Sequence, residues 1–237
     1  MSKDDAKSGV VARVRRAFKR TSADALTVQL SVAVLAIAVL AASFIKIPDA
    51  LATGLFGGPA LVLGIVLMRR LRFNNWTIGV IVGGLVLYVL YFGYTAFGER
   101  NYDGPEQLNY VKFVVEKGAL PEAKECFVCH HPPAYYLLAA GAFKFAQLTD
   151  LTSTTRIVQL TSLLLSFLFI VFGALIVRRF TERRTIETLA VAFIVLWPYS
   201  IVNSVRFHND VMVGTTMVAS LYYLVRWYQD EKPRDIW

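Results

Sequence analysis

The sequence predicts an all-α, polytopic integral membrane protein of about six transmembrane helices, and three observations carry that reading. Of 237 residues, 56% are apolar and only 18% charged, with a mean hydropathy of +0.50. Compact soluble domains carry about a quarter charged residues, and disordered or collagen-like chains lie further still from this composition. The apolar residues gather into charge-free runs, several of them near the ~20 residues that a helix needs to cross a bilayer. The basic residues are segregated between alternate connections, which is the pattern of a chain threaded through a membrane. Two cysteines, both in one Cys-x-x-Cys, exclude a disulfide-rich scaffold.

Residues 1–24 form a basic N-terminal segment with seven Lys/Arg. The run Arg13 to Arg20 beside a membrane span suits anionic lipid, and no nucleic-acid partner is expected. The first span, 25–45, has 21 residues against the ~7–15 of a cleavable signal, so it reads as an anchor. The second, 50–68, contains Gly57, Gly58 and Pro59, which can break it into a re-entrant piece. Together they make a two-helix hairpin over 25–75. Further spans follow at 76–98, 157–177, 188–205 and 211–225. The last crosses if Arg226 snorkels and Trp227 and Tyr228 sit among the headgroups. With the N-terminus inside, the inner segments hold 17 Lys/Arg and the outer segments 8, so both termini are assigned to the cytoplasmic side of the inner membrane. Within the spans, Gly79-x-x-x-Gly83 permits close helix packing. Trp197-Pro198 predicts a kink in the fifth span, with Asn203 and Ser204 satisfying the loosened backbone.

One outer segment is long, residues 99–156, and a site is expected there. It opens with Asn101-Tyr102-Asp103-Gly104-Pro105-Glu106, and a helix runs from there to Lys117, where Gly118 and Pro121 stop it. Asp103, with Pro in the first turn and Glu106 three residues on, matches a capping box, so both acids have a purely structural reading. Next comes Cys126-Phe127-Val128-Cys129-His130-His131-Pro132-Pro133-Ala134-Tyr135-Tyr136, then a mostly apolar stretch, Leu137 to Leu148, suited to lying at the interface. The loop therefore reads as two juxtamembrane helices joined by a Cys/His/Pro turn.

These residues also carry a resemblance. Tyr-Asp-Gly-Pro-Glu-Gln-Leu, a helix ending in Gly-x-Leu-Pro, and His-Pro-Pro-x-Tyr-Tyr-Leu-Leu-Ala-Ala resemble the first outer loop of the glycosyltransferase C superfamily. The nearer likeness is to the branch related to dolichyl-phosphate-mannose protein mannosyltransferases and lipid A aminoarabinose transferases. His208-Asn209-Asp210, opening the sixth span, is similar to the Asn-Asp at the start of a later helix of such proteins, and the resemblance covers about residues 76–228. It implies a membrane transferase that moves a sugar, with inversion, from a polyprenyl-phosphate donor to a glycan, lipid or protein acceptor at the outer face. It further implies that Asp103 is the catalytic carboxylate, taking a proton from the acceptor hydroxyl. Glu106, His131, Arg206, His208, Asn209 and Asp210 are then candidates for donor or phosphate binding. Gly104 stands where such proteins often have a second acid, so any divalent cation would be held by Glu106 or another residue. The 76–237 module corresponds to part of that core, so a continuation of the chain or a partner subunit is expected to complete it.

Cys126-x-x-Cys129-His130 is also an attachment pattern for c-type haem, with His130 as proximal ligand. A local Cys126–Cys129 disulfide in an oxidising compartment, zinc held by the two thiolates with His130 and His131, and free thiols are the other readings. A membrane-anchored c-type cytochrome, or a non-catalytic module binding lipid phosphate, are accordingly the alternatives to the transferase. For His208 and Arg206 a role at a lipid phosphate stands beside a plain surface position.

Overall fold

The computed structural model describes residues 61–95, 97–149 and 154–230, and every regular element among them is an α-helix. The chain divides into two units, 1–72 and 73–237. The predicted span 25–45, and 50–68 up to residue 60, lie outside the described residues, as do the basic N-terminal segment and the C-terminal tail. The described part of the first unit is helical over 61–70 and closes in a turn in which Arg72 takes a left-handed backbone, φ 64°.

The second unit begins with α1, Asn75–Tyr94. Asn74 caps it by accepting a hydrogen bond from the Thr77 amide at 3.0 Å. A single helical turn, Phe97–Arg100, leads to α2, Gly104–Lys117. Gly118 ends α2 with φ 64°, a conformation open to glycine at little cost. After the Cys/His/Pro turn come α3, Ala134–Thr149, and α4, Thr154–Phe180. The predicted fifth span is two helices, α5 (Arg184–Leu196) and α6 (Pro198–Asn203), and α7 runs over Asp210–Asp230.

Trp197 is the break between α5 and α6, because Pro198 has no N–H to donate and its ring bars a helical Trp197, whose ψ is 127°. The loosened carbonyls find partners. Val195 accepts from Tyr88 of α1 at 2.8 Å, Asn203 donates to Tyr199 at 3.0 Å, and Ser204 donates to Ile201 at 2.7 Å. Close packing of α1 does not occur at Gly79 or Gly83, which face open space. It occurs at Gly84, where a Cβ would lie 1.8 Å from Val195 Cγ1.

Helix α4 is the centre of the unit, touching α1, α3, α5, α6 and α7. Hydrogen bonds fix the directions. Asn74 and Thr77 bond Glu187 and Thr188, so α1 and α5 start at the same end. Arg179 forms a two-pronged ion pair with Asp230 at 2.9 and 3.2 Å, so α4 and α7 finish at that end. At the opposite end Gln159 donates to the Val205 carbonyl at 2.9 Å and Thr215 to that of Leu165 at 2.9 Å. Helices α1, α4, α5 and α7 therefore alternate in direction. Arg178, Arg179, Arg183 and Arg184 lie at one end, and the α2–α3 hairpin lies at the other.

By length and composition, two described helices are apolar enough to cross a membrane, Asn75–Tyr94 and Thr155–Phe180. Helix α5, at 13 residues, is ~20 Å long and too short to cross alone. Helix α7 has the length, 21 residues, but Thr215, Thr216, Ser220, Arg226 and Gln229 dilute its apolar character.

Candidate functional site at the hairpin end

The α2–α3 hairpin is held by a core of Tyr110 and Val111 from α2, Val128 from the turn, Tyr135, Tyr136, Ala139, Ala140 and Phe143 from α3, with Val158 and Leu165 of α4 and Phe207. On α2 the buried positions Gly104, Gln107, Tyr110 and Val111 recur at helical spacing, placing one face inward. Tyr135 bonds Ser162 of α4 at 2.9 Å and packs on Phe207 with ring centroids 5.6 Å apart. Asn101, 2% exposed, accepts a hydrogen bond from the Phe207 amide, and its carbonyl accepts one from Gly104 at 3.0 Å. One buried side chain thus joins the start of the hairpin to the segment entering α7.

Asp103 precedes α2, but its side chain makes no capping hydrogen bond, and its backbone (φ −95°, ψ 15°) is not the extended form a capping residue favours. Its carbonyl accepts the Gln107 amide at 3.0 Å instead. The capping box is not formed: the backbone of Asp103 is already nearly helical, not the extended form from which a side chain caps the Glu106 amide. The charge of Asp103 is felt by both His131 and His208. Glu106 lies partly exposed in the first turn of α2, and among the described residues no hydrogen bond or ion pair holds its carboxylate.

Cys126 and Cys129 are joined in a disulfide within the turn. Zinc and haem attachment both need these sulfurs as thiolates or thioethers, and with the bond formed neither sulfur is available for them. Among the described residues no three His, Cys, Asp or Glu side chains are disposed to hold a metal ion. The turn presents His130, exposed, and His131, partly buried, with their rings edge to face at 4.5 Å.

His131 faces His208 with ring centroids 6.1 Å apart. Burial lowers the pKa of His131 from its usual 6.5, helped by the charges of His130 and His208 and opposed by Asp210 and Asp103. Burial also lowers that of His208, with Arg206 acting the same way and Asp210 and Asp103 opposing. Nδ1 of His208 meets two groups at Asp210, the backbone N–H at 3.2 Å and carboxylate Oδ2 at 3.2 Å. A bare Nδ1 accepts from the amide and a protonated one donates to the carboxylate, so protonation exchanges one partner for the other. Asn209 is buried, and its Oδ1 has no hydrogen-bond partner among the described residues. Arg206 is partly buried and forms no ion pair among the described residues.

The structure therefore gathers Asp103, His130, His131, His208 and Asp210 at one end of the bundle, with Arg206 and Asn209 beside His208. The sequence reading did not single out Asn101, Gln107, Tyr110 or Tyr136. Their spacing on α2 and α3 marks them as inward, but which polar groups meet inside is a property of the packing. Comparison with known protein families, with curated proteins and with solved structures finds no match for this chain.

Proposed function

We propose that this chain is a membrane transferase that moves a sugar from a polyprenyl-phosphate donor to an acceptor hydroxyl at the outer face of the membrane, with Asp103 as the base. The observation that carries this reading is the carboxylate of Asp103, left out of the cap that its position offers and close enough for its charge to act on His131 and His208. Such a carboxylate can accept a proton as the acceptor oxygen attacks the anomeric carbon. Arg206, with no carboxylate partner among the described residues, and His208 suit the departing phosphate.

The membrane setting and six-span topology belong to the same reading. Only 28% of each apolar helix window is buried within the protein, whereas the core helix of a soluble domain is mostly covered. Exposed Val86, Leu87, Val89 and Leu90 on α1, and Leu189 and Phe193 on α5, form an apolar surface suited to lipid. If the arginine-rich end is cytoplasmic, as the asymmetry of basic residues expects, the α2–α3 site at the opposite end is the outer one.

The test uses the full protein in proteoliposomes with a radiolabelled polyprenyl-phosphate sugar. Asp103→Asn should fold normally and lose transfer by ~10² fold or more, the scale of a lost general base. Full transfer by Asp103→Asn would remove Asp103 from the mechanism.

A further inference from the structure

Gln107 and Tyr136 are fully buried, and they end a line of hydrogen bonds that begins on His131. Tyr136 Oη lies 3.0 Å from His131 Nδ1, and the same oxygen is bonded to Gln107 Oε1. A phenol has one proton, and an amide oxygen can only accept. With the Gln107 amide turned so that Oε1 meets the phenol, which leaves its buried Nε2 without a partner among the described residues, the phenolic proton is spent on Gln107 and the bond to the imidazole is donated by Nδ1–H. A neutral imidazole protonated at Nδ1 carries its lone pair on Nε2. Stacking of Tyr110 on Tyr136, with centroids 3.9 Å apart and planes within 13°, fixes the phenol.

The geometry points to Gln107 and Tyr136 as positioning residues that hold His131 in its Nδ1–H tautomer, so that Nε2 accepts a hydrogen bond from a substrate hydroxyl. This rests on the reading of the hairpin end as a substrate site, and it narrows what His131 recognises. A bare nitrogen repels phosphate oxygens and accepts from hydroxyls, so His131 meets the sugar or the acceptor alcohol, and the phosphate falls to Arg206 and His208. The groups around the ring are His130 on the same turn, Asp103 from the start of α2, Tyr136 of α3, and His208 and Asp210 from the entry to α7. Burial and the neighbouring histidines favour the neutral ring. The phenol of Tyr136 is pushed well above its usual pKa by burial and keeps its proton.

The chain has three histidines, so protein labelled with 15N-histidine in lipid nanodiscs gives a spectrum that His131→Gln can assign. Long-range proton–nitrogen correlation at neutral pH should show Nδ1 of His131 protonated and Nε2 bare. In Gln107→Leu the phenolic proton has only the imidazole to bond, and the tautomer should reverse to Nε2–H. Tyr136→Phe removes both bonds and should leave a mixture of tautomers. A methyl hexoside added to the wild-type protein should move the His131 Nε2 resonance, and inorganic phosphate should not. A wild-type His131 protonated at Nε2, or a tautomer unchanged in Gln107→Leu, overturns the positioning role, and the wild-type spectrum decides the tautomer even if that variant fails to fold. Movement with phosphate alone, or with neither probe, overturns the assignment to a hydroxyl. Absence of sugar transfer in the wild-type protein sinks the transferase reading and leaves the tautomer to be decided by the spectrum.

Discussion

The carboxylate of Asp103 is not committed to the helix it precedes, so replacing it separates chemistry from stability. With no capping bond to lose, Asp103→Ala should change stability by less than about 0.5 kcal/mol, whereas removal of a working cap costs ~1 kcal/mol. Denaturant unfolding in detergent measures this, and a loss of a full kcal/mol would restore the capping role. His131 and His208 make a second residue-scale prediction. Both have folded pKa values below the usual 6.5, chiefly through burial. The unfolded chain then takes up protons at higher pH than the folded one, so their contribution is fully present above about 6.5 and is lost as pH falls from there through the folded values. Hydrogen exchange in 104–117 and 134–149 should become less protected between pH ~7 and pH ~5. The double variant His131→Gln with His208→Gln should flatten that dependence, and protection that rises on acidification would contradict the burial of these rings. Asp103 and both histidines stand out in the sequence as chemistry-bearing residues. Asn101, Gln107 and Tyr136 do not, because the hydrogen bonds that give them meaning cross between segments up to 106 residues apart.

Helix α1 carries its close contact at one glycine only. Val195 is β-branched and stiff at χ1, so it cannot swing away from a Cβ built 1.8 Å from its Cγ1 at Gly84. Gly84→Ala should cost ~1–3 kcal/mol by overpacking, while Gly79→Ala and Gly83→Ala, facing open space, should be neutral or slightly stabilising. Thermal unfolding of the three variants checks the ranking, and Val195→Ala should relieve Gly84→Ala. Equal losses at all three positions would place the close approach elsewhere. The period-four spacing of Gly79 and Gly83 suggests an interface, but a helix presents its faces to neighbours only once the bundle is assembled. The kink at Pro198 was legible beforehand, since it follows from the missing N–H of one residue. Its hydrogen bond from Tyr88 was not, because it comes from a helix 107 residues away in sequence.

For the whole molecule, the arginine-rich end and the hairpin end are opposite, which makes orientation testable with one thiol. The two native cysteines are paired in the disulfide, so a cysteine introduced by Glu116→Cys is the reactive one. A membrane-impermeant maleimide should label it in intact cells and fail in sealed inverted vesicles. Efficient labelling in the vesicles would reverse the topology and move the site to the cytoplasmic face. The sequence alone determined that the described chain is helical, where α2 and α7 begin, that Gly118 ends α2 and that Pro198 divides the fifth apolar run. Those features arise from local backbone chemistry and from hydrophobic period, which act over a few residues. Only the tertiary structure decided that Asp103 is free of its cap, that His131 and His208 face each other, and that Gln107 and Tyr136 lie behind His131. Side chains separated by 29 to 106 residues are brought together there by burial of one apolar core, and no local pattern encodes which polar atoms that burial pairs.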